Sequence, residues 1–375
     1  MSEARLFVGL ISGTSRDGVD AALVDFESDP PELRASLCLP YPGPLADALS
    51  ALVADPRRPP DADMRALDEP LARHFADTAL RLLETTGVDR RALRAVGSHG
   101  QTVWHAPQST PPESIQLGSP ALIATLTGLR TVGDFRRADI ECGGQGAPLA
   151  PLLHRALLRP AEGRRVVLNL GGIANISLID EAGGVSGFDT GPANCLLDGW
   201  IRRCRGEAFD RDGAWAATGA VLPDILDVLV GDPYFARPAP KSTGTEYFNL
   251  DWLERRLAAA DPRPVDRAPA DLQATLAELT AATVADAVRP LAPRDLLVCG
   301  GGVHNADLLE RLRARLPGIP LRSTAEFGLD PDCVEAVLFA WLARERLAGR
   351  PQDTRAITGA RHPILLGDVY SPPGL

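Results

Sequence analysis

The sequence predicts an α/β protein built from two similar halves, and three observations support this prediction. A strand, a glycine-containing turn and a second strand open the chain, and the same order recurs about 160 residues later. The later part of the chain alternates apolar strand-like runs with stretches of helical periodicity. The chain has 375 residues, of which 45% are hydrophobic and 23% charged, so it can form two globular domains.

The first half begins with a hairpin. Residues 6–10 are uniformly apolar and predict a buried strand, and residues 19–26 predict its antiparallel partner. The polar, glycine-containing stretch 11–18 forms the long turn between them. Further along, apolar residues at helical spacing across 71–83 predict a helix, and Gly87 is a typical residue for its end.

A short strand at 95–97 closes the first half, and the second half then repeats the opening. Residues 166–170 predict a buried strand, Gly171-Gly172 a turn, and residues 176–179 the returning strand. The apolar run 195–197 that follows is typical of a helix. This repetition concerns architecture and not residue identity, and it indicates two related α/β units.

The last third alternates helix and strand. Residues 272–288 predict a helix with Asp271 as its cap, and residues 296–299 predict a buried strand. Two more amphipathic patterns predict helices over 308–316 and 331–347.

Composition excludes several functional classes. With 39 basic against 49 acidic residues the net charge is −10, which argues against a general binder of nucleic acid or of anionic membranes. No apolar run reaches 18 residues, and the first residues lack a signal-peptide pattern. Six dispersed cysteines and six dispersed histidines give no metal-binding motif, so we expect reduced thiols and a cytoplasmic protein.

Three glycine-containing turns follow predicted strands, at 13–18, 171–175 and 300–302. Exposed backbone N–H groups at such turns bind phosphate, so together they favour a nucleotide site, although each alone is more typical of an ordinary turn. Two familiar signatures fail. A P-loop ending at Lys241 would require glycine at position 240, where Pro240 stands. A dinucleotide-binding motif starting at Gly300 would require glycine at position 305, where Asn305 stands.

Several polar residues have two interpretations that the local sequence leaves open. Asp189 is either a helix-cap or Asx-turn carboxylate, or else a general base or metal ligand. Glu335 resembles the end of a capping box that begins at Asp332. His99 is typical of a hydrogen-bonded loop histidine. Lys241 is the only lysine among the 39 basic residues, and its compact ammonium suits a phosphate.

Eleven segments taken together resemble the anhydro-N-acetylmuramic acid kinase family. They run nearly end to end through the chain, and their order makes chance implausible. The segments are GLISGTSRDGVD (9–20), SHGQTVWH (98–105), QLG (116–118), DFRRAD (134–139), GGQGAPL (143–149), NLGGIAN (169–175), FDTGP (188–192), DGAW (212–215), PKSTG (240–244), CGGGVHN (299–305) and DPDCVEA (330–336).

The resemblance implies an α/β fold of two duplicated actin-like ATPase (ribonuclease-H-like) domains with an interdomain cleft. Residues 1–135, with about 356–375, would form the N-terminal domain and residues 136–355 the C-terminal domain. It also implies a cytoplasmic homodimer that uses ATP and Mg²⁺, with a small-molecule sugar as partner and neither nucleic acid nor membrane. The family opens the ring of 1,6-anhydro-N-acetylmuramic acid with water and phosphorylates O6, giving N-acetylmuramic acid 6-phosphate in peptidoglycan recycling.

The resemblance further implies roles for individual residues. Asp189 is the expected general base, Glu335 a second catalytic carboxylate, and Mg²⁺ is expected near Asp17 or Asp189. The residues expected to bind the sugar are His99, Gln101, Arg137 and Asn194. The residues expected to bind ATP and its phosphates are Gly13, Thr14, Ser15, Arg16, Asp17, Gly18, Val19, Asp20, Asn169, Gly171, Gly172, Lys241, Gly300, Gly301 and Gly302.

Three other functions remain open at this point. A kinase on the same scaffold could take another sugar or acid, which only substrate profiling would separate. A glycosidase could use Asp189 and Glu335 without ATP, although the phosphate-type turns argue against it. A non-catalytic actin-like sensor would bind ATP or sugar and release no ADP.

Overall fold

The computed structural model of the protein describes residues 5–13, 16–28, 30–54, 57–239, 241–260 and 268–374. The chain divides into two compact units, one of Met1–Leu157 with Phe327–Leu375 and one of Leu158–Glu326. The domain bounds expected from sequence stay a prediction. In this division residues 136–157 and 327–355 group with the first unit, and a helix within 327–355 packs on the first sheet.

The strands of the described residues form two sheets. In chain order they are β1 (Leu6–Ser12), β2 (Gly18–Asp25), β3 (Glu32–Pro40), β4 (Leu93–Ala106), β5 (Glu113–Leu117), β6 (Thr131–Gly133), β7 (Arg164–Leu170), β8 (Ile173–Asp180), β9 (Val185–Pro192), β10 (Asp295–Cys299), β11 (Leu321–Ser323) and β12 (Asp368–Tyr370).

Helices cover the faces of these sheets. In chain order they are α1 (Gly43–Ala54), α2 (Asp61–Thr86), α3 (Pro120–Thr127), α4 (Arg137–Glu141), α5 (Ala150–Leu157), α6 (Asn194–Arg205), α7 (Pro223–Val230), α8 (Leu250–Ala260), α9 (Pro269–Val288), α10 (Ala306–Arg315), α11 (Val334–Leu347) and α12 (Arg355–Thr358).

The first unit is built on the sheet β12-β6-β4-β1-β2-β3, with β5 paired to β4. Strands β1, β2 and β3 are antiparallel neighbours, whereas β4 lies parallel to β1 and β6 parallel to β4. Strand β1 is buried along nearly its whole length, while β3 alternates exposed and half-buried residues as an edge strand does. Apolar residues of β1, β2, α2 and α3 form the core of this unit.

Helix α11 crosses the same sheet at two glycines. A Cβ at Gly9 would lie 1.8 Å from the Ala336 carbonyl oxygen, and one at Gly97 would lie 2.0 Å from the Phe339 oxygen. Only glycine therefore lets the helix backbone contact β1 and β4 directly. This close packing fixes the start of α11, where Glu335 lies, against the strands.

The second unit repeats this topology in the sheet β11-β10-β7-β8-β9. Strands β7, β8 and β9 are antiparallel neighbours, and β10 and β11 continue in parallel, as β4 and β6 do in the first unit. The two units thus share one ribonuclease-H-like strand order, and the predicted duplicated α/β fold is confirmed. The hairpin turns β1–β2 and β7–β8 occupy equivalent places in the two sheets.

Some sequence-based bounds were wrong. Strand β4 runs from Leu93 to Ala106 rather than over 95–97, so His99 lies in a strand and not in a loop. Asp271 lies in the first turn of α9 and accepts a hydrogen bond from the Ala220 N–H instead of capping the helix. Strand β3 and helix α1 lie in the stretch 27–69, where the sequence signal is weak.

Candidate functional site

In the first unit, several charged side chains lie near the start of α11. Glu335 lies in the first turn of that helix, after Cys333 at the N-cap. The predicted capping box is therefore wrong, because the helix begins one residue too late for Glu335 to close it. The carboxyl of Glu335 instead interacts electrostatically with Asp20 of β2 and with the Arg136 guanidinium.

Burial is the main electrostatic influence on these carboxyls. It raises the pKa of Glu335, and the charge of Asp20 raises it further while Arg136 opposes the change. Part of the Glu335 side chain reaches solvent, but protein atoms crowd its carboxyl. Burial also raises the pKa of Asp20, although the Cys38 thiol hydrogen bond opposes it and the charge of Asp17 adds to it. Both carboxyls thus ionise at a higher pH than free side chains do.

A buried histidine fixes the orientation of Arg136. The Arg136 Nε–H donates to His99 Nε2 at 3.0 Å, so His99 Nδ1 carries the proton and donates to the Gly100 carbonyl at 3.0 Å. The imidazole also packs on the Phe339 ring, with centroids 4.6 Å apart. Burial holds the pKa of His99 well below its usual range, and it lowers the pKa of Arg136 to about 10. At neutral pH a neutral imidazole therefore positions a cationic guanidinium beside Glu335.

The side chain of Gln101 is hydrogen-bonded to the end of β1 and to the turn between β1 and β2. Its side-chain oxygen accepts from the Ser12 hydroxyl at 2.6 Å, and its amide nitrogen donates to the carbonyls of Thr102 at 3.1 Å and Gly13 at 3.4 Å. The side chain is 2% exposed. Since both amide hydrogens have partners within the unit, this arrangement supports positioning of the turn rather than contact with a sugar.

Two other expected sugar ligands are engaged elsewhere. Arg137 forms ion pairs with Asp134 and with Asp368, the latter at 2.7 Å, and about half of its side chain is exposed. Asn194 belongs to the second unit, where its side-chain nitrogen donates to the Leu170 carbonyl at 3.0 Å.

The predicted phosphate turn of the first unit is described in part. Thr14 and Ser15 lie outside the described residues. Arg16 has a left-handed backbone with a φ of 56°, and its N–H donates to the Gly13 carbonyl at 3.3 Å. Val19 is buried in the core, so only its backbone could contact a nucleotide.

In the second unit, backbone hydrogen bonds from the start of α6 hold the glycine turn 171–172 in place. The Asn194 N–H donates to the Gly171 carbonyl, and the N–H groups of Ala193 and Cys195 donate to the Gly172 carbonyl, at 3.0–3.1 Å. Because the peptide between the glycines is trans, the Gly172 N–H points opposite to the Gly171 carbonyl and away from α6. A backbone N–H at such a turn is the kind of donor that a phosphate site requires.

The glycine run 300–302 lies against this turn. A Cβ at Gly300, whose φ is 80°, would lie 2.3 Å from Asn169 Oδ1, and a Cβ at Gly302 would lie 2.5 Å from Leu170 Cβ. Any larger residue would push β10 away from the end of β7. The structure therefore brings together two predicted nucleotide segments that are about 130 residues apart in sequence.

Asp189 is held in β9 through its backbone and its side chain. Its Oδ2 accepts from the Thr243 N–H at 2.9 Å, its own N–H donates to the Lys241 carbonyl at 3.0 Å, and its carbonyl accepts from the Tyr234 hydroxyl at 2.7 Å. The interpretation as a helix cap is wrong, since α6 has Ala193 at its N-cap and no side-chain cap.

The electrostatics of Asp189 suit a base. Burial raises the pKa of its carboxyl to about 6, with the Thr243 N–H opposing the change and the negative charge of Glu246 adding to it. A carboxylate with a pKa this close to neutrality accepts a proton more readily than an ordinary aspartate and is still mostly ionised at pH 7.

The side chain of Lys241 has partners within the second unit. Its Nζ donates to the carbonyls of Tyr234 at 3.3 Å and Phe235 at 3.1 Å, and it lies 4.7 Å from the centre of the Tyr234 ring. Burial lowers the pKa of this ammonium. A role in phosphate binding stays a prediction, and the observed partners favour a structural role.

Sequence reasoning missed Arg136, Tyr234 and Thr243. Arg136 stands beside Arg137, and no local pattern distinguishes which of the two contacts His99, because His99 is distant in sequence.

The turn Asp210–Gly213 has a structural role, since the Asp210 carboxylate accepts from the N–H groups of Trp215 and Ala216 at 2.9 Å. Within the described residues, no three His, Cys, Asp or Glu side chains converge to hold a metal.

Comparison with known proteins places the chain among kinases. A family model described as anhydro-N-acetylmuramic acid kinase matches residues 5–372. Proteins named anhydro-N-acetylmuramic acid kinase from Xanthomonas campestris pv. campestris (strain 8004) and from Vibrio cholerae serotype O1 are 50% and 46% identical. These matches cover 97% of this chain and 97% of the first relative, and 99% of this chain and 100% of the second. A ROK family glucokinase from Streptomyces griseus, in complex with glucose and AMPPNP, is 17% identical with a TM-score of 0.42, covering 91% of this chain and 99% of that one.

The class of protein is thus a kinase. In particular, the chain belongs to the anhydro-N-acetylmuramic acid kinase family, as the eleven motifs predict. Across the part of the chain that the structure describes, every helix is too short or too polar to cross a membrane.

Proposed function

We propose that this protein couples two bond changes in 1,6-anhydro-N-acetylmuramic acid. Water attacks the anomeric carbon, the bond from that carbon to O6 breaks, and O6 takes the γ-phosphoryl group of ATP. The products are N-acetylmuramic acid 6-phosphate and ADP. The observation that carries this proposal is the Asp189 carboxyl, which is held by the Thr243 N–H and has a pKa raised to about 6.

Asp189 acts on the water side of the reaction. Its carboxylate removes a proton from the attacking water, which makes the oxygen nucleophilic enough to open the acetal. On the other side the departing O6 needs no acidic side chain, since the phosphorus atom accepts its electrons. One carboxylate base is therefore sufficient for the ring opening.

In the second unit, the turn between β7 and β8 and the glycine run 300–302 bind the nucleotide in this proposal, and in the first unit the turn between β1 and β2 is the candidate phosphate-binding segment. Backbone donors such as the Gly172 N–H suit the phosphate oxygens, and the Gln101 contacts with Ser12 and Gly13 keep the first turn in place. The carboxylates of Asp17 and Asp20 would hold Mg²⁺, because a divalent cation would relieve their mutual repulsion. When bound, Mg²⁺ neutralises charge on the transferring phosphoryl group.

Arg136 binds the lactyl carboxylate of the sugar in this proposal, in place of Arg137. Its guanidinium is oriented by His99, and an arginine fork is well suited to a carboxylate. The Arg137 guanidinium is already paired with Asp134 and Asp368. Glu335 completes this part of the site as the second catalytic carboxylate, facing Arg136.

The paired arginines give a direct test of this assignment. Arg136→Met should raise the KM for the sugar about tenfold or more, because a charge-assisted bidentate contact is lost. Arg137→Met is the matched control and should change that KM less than threefold, since its ion pairs lie at an exposed surface. Steady-state kinetics at saturating ATP would measure both. Equal effects of the two substitutions would contradict the assignment.

The pKa of Asp189 predicts an acid limb in the pH profile. The base works only when ionised, and burial raises its pKa to about 6, so kcat/KM for the sugar should fall about tenfold per pH unit below that value. Glu246→Gln removes a negative charge that raises this pKa and should move the limb to lower pH. A wild-type profile that stays flat from pH 7 to pH 5 would contradict the assignment of Asp189 as the base.

Two further properties complete the proposal. The protein acts in the cytoplasm, in keeping with its six cysteines without a paired motif. It works as a homodimer, which the family suggests and which sedimentation or light scattering would test.

The proposed function is tested by measuring ADP release with Mg-ATP, with and without 1,6-anhydro-N-acetylmuramic acid. We expect ADP only when the sugar is present, and a sugar product heavier by one water and one phosphoryl group. Ring opening without ATP would instead indicate a glycosidase. Nucleotide binding without turnover on any of a panel of sugars would indicate a sensor.

A further inference from the structure

The contacts around Asp189 come from three residues that lie together after α7. Tyr234, Lys241 and Thr243 bind the carbonyl, the N–H and the carboxylate of Asp189, respectively. We call these three residues the Asp189 brace. Strand β9 is the last strand of its sheet path. Among the described residues no further strand pairs with it on the side away from β8, and the brace contributes hydrogen bonds to it.

Lys241 joins the parts of the brace to one another. Its ammonium donates to the carbonyls of Tyr234 and Phe235, while its own carbonyl accepts from Asp189. The ammonium also lies 4.7 Å from the centre of the Tyr234 ring, a favourable cation–π position. One side chain thus connects the tyrosine that holds the Asp189 carbonyl to the segment that holds its N–H.

The aromatic residues behind the brace are themselves fixed. The buried Asp232 carboxylate accepts from the Tyr234 N–H at 2.9 Å, the Tyr247 hydroxyl at 2.8 Å and the Trp252 indole N–H at 2.9 Å. Phe235 covers Gly191, two residues beyond Asp189, where a Cβ would lie 2.6 Å from the Phe235 ring. The brace therefore rests on a packed aromatic cluster and not on a free loop.

We infer that the Asp189 brace sets the position of the catalytic carboxylate, and that Lys241 is a positioning residue rather than a ligand of the ATP phosphates. This inference rests on the proposed role of Asp189 as the base. The ammonium is compact enough to satisfy two carbonyls while it lies over an aromatic ring, which the larger planar guanidinium of arginine would do less well. That requirement gives a physical reason for lysine at position 241, whereas every other basic residue of the chain is arginine.

Two substitutions test the inference, with a control from the same cluster. Tyr234→Phe removes only the hydrogen bond to the Asp189 carbonyl, and Lys241→Met removes the ammonium at similar length. We expect kcat to fall about tenfold in each, because a small displacement of a catalytic base is costly, while the KM for each substrate stays within about threefold. Tyr247→Phe loses a hydroxyl bonded to Asp232 and should keep kcat within about twofold.

Nucleotide binding separates the two roles of Lys241. Calorimetry with a non-hydrolysable ATP analogue should give Lys241→Met a Kd within about threefold of the wild type. A Kd raised more than about tenfold, with kcat restored at saturating ATP, would mean that Lys241 binds phosphate and would overturn the inference. If Lys241→Met fails to fold, Tyr234→Phe still tests whether the brace positions Asp189. An unchanged kcat in this isosteric variant would overturn the inference.

Asp189→Asn distinguishes failure of the inference from failure of the proposed function. If Asp189→Asn is inactive while both brace variants turn over at the wild-type rate, the brace inference fails alone. If Asp189→Asn remains active, the role of Asp189 as the base fails, and the brace inference fails with it.

Discussion

Asp189→Asn should lower kcat by about a thousandfold or more, within the range that a lost general base can produce. The amide has nearly the same volume as the carboxyl, and its oxygen can still accept from the Thr243 N–H. It cannot take a proton from water, however, so ring opening should stop while the ATP-binding turns remain intact. Steady-state release of ADP, together with calorimetric binding of an ATP analogue, would measure the two properties separately.

A second carboxylate of the same unit provides the control for this experiment. Asp198, in α6, also has a pKa raised by burial to about 6, but its electrostatic neighbours are Arg202 and Asp210. Asp198→Asn should therefore keep kcat within about threefold of the wild type. Turnover by Asp189→Asn within a few-fold of the wild type would show that Asp189 is not the base.

Glu335→Gln should lower kcat/KM for the sugar about a hundredfold. The substitution removes a charge that faces both Asp20 and Arg136 at the start of α11. Without that charge the guanidinium loses its anionic partner, and the site loses a carboxylate whose pKa burial and the charge of Asp20 raise. Initial rates over a range of sugar concentrations at saturating ATP would give the value.

Asp332→Asn is the control for Glu335. Asp332 also raises the pKa of Asp20, but it lies before the helix, whereas Glu335 is the carboxylate whose charge raises the pKa of Arg136. We expect this variant to stay within about threefold of the wild-type kcat/KM. A loss as large as that of Glu335→Gln would mean that total negative charge near Asp20 matters, and that Glu335 has no specific role.

The fold follows from local patterns to a large extent. Continuous apolar runs identify β1 and β7 because both strands are central and buried. Strand β3 escaped prediction although Leu33, Ala35, Leu37 and Leu39 alternate with polar residues, since proline-rich surroundings weaken the signal. The Gly87 stop is confirmed, with a left-handed φ of 67° at the end of α2.

The site is less predictable, since its contacts connect residues that are distant in sequence. The glycine turns and Asp189 carry short motifs, but the choice of Arg136 over Arg137 depends on which one meets His99. The role of Gln101 depends likewise on Ser12, which is 89 residues away. Glu335 looked like a capping residue because the N-cap could not be distinguished between Asp332 and Cys333 before the helix start was known.

The central claim is that water opens the ring while O6 receives the phosphoryl group, and oxygen isotopes test it most directly. The reaction would be run with Mg-ATP in ¹⁸O-labelled water, and the product analysed by mass spectrometry with fragmentation, at early time points before the anomeric hydroxyl exchanges. The account predicts one ¹⁸O on the anomeric carbon and none in the phosphate. Label in the phosphate, or an unlabelled anomeric hydroxyl, would contradict it.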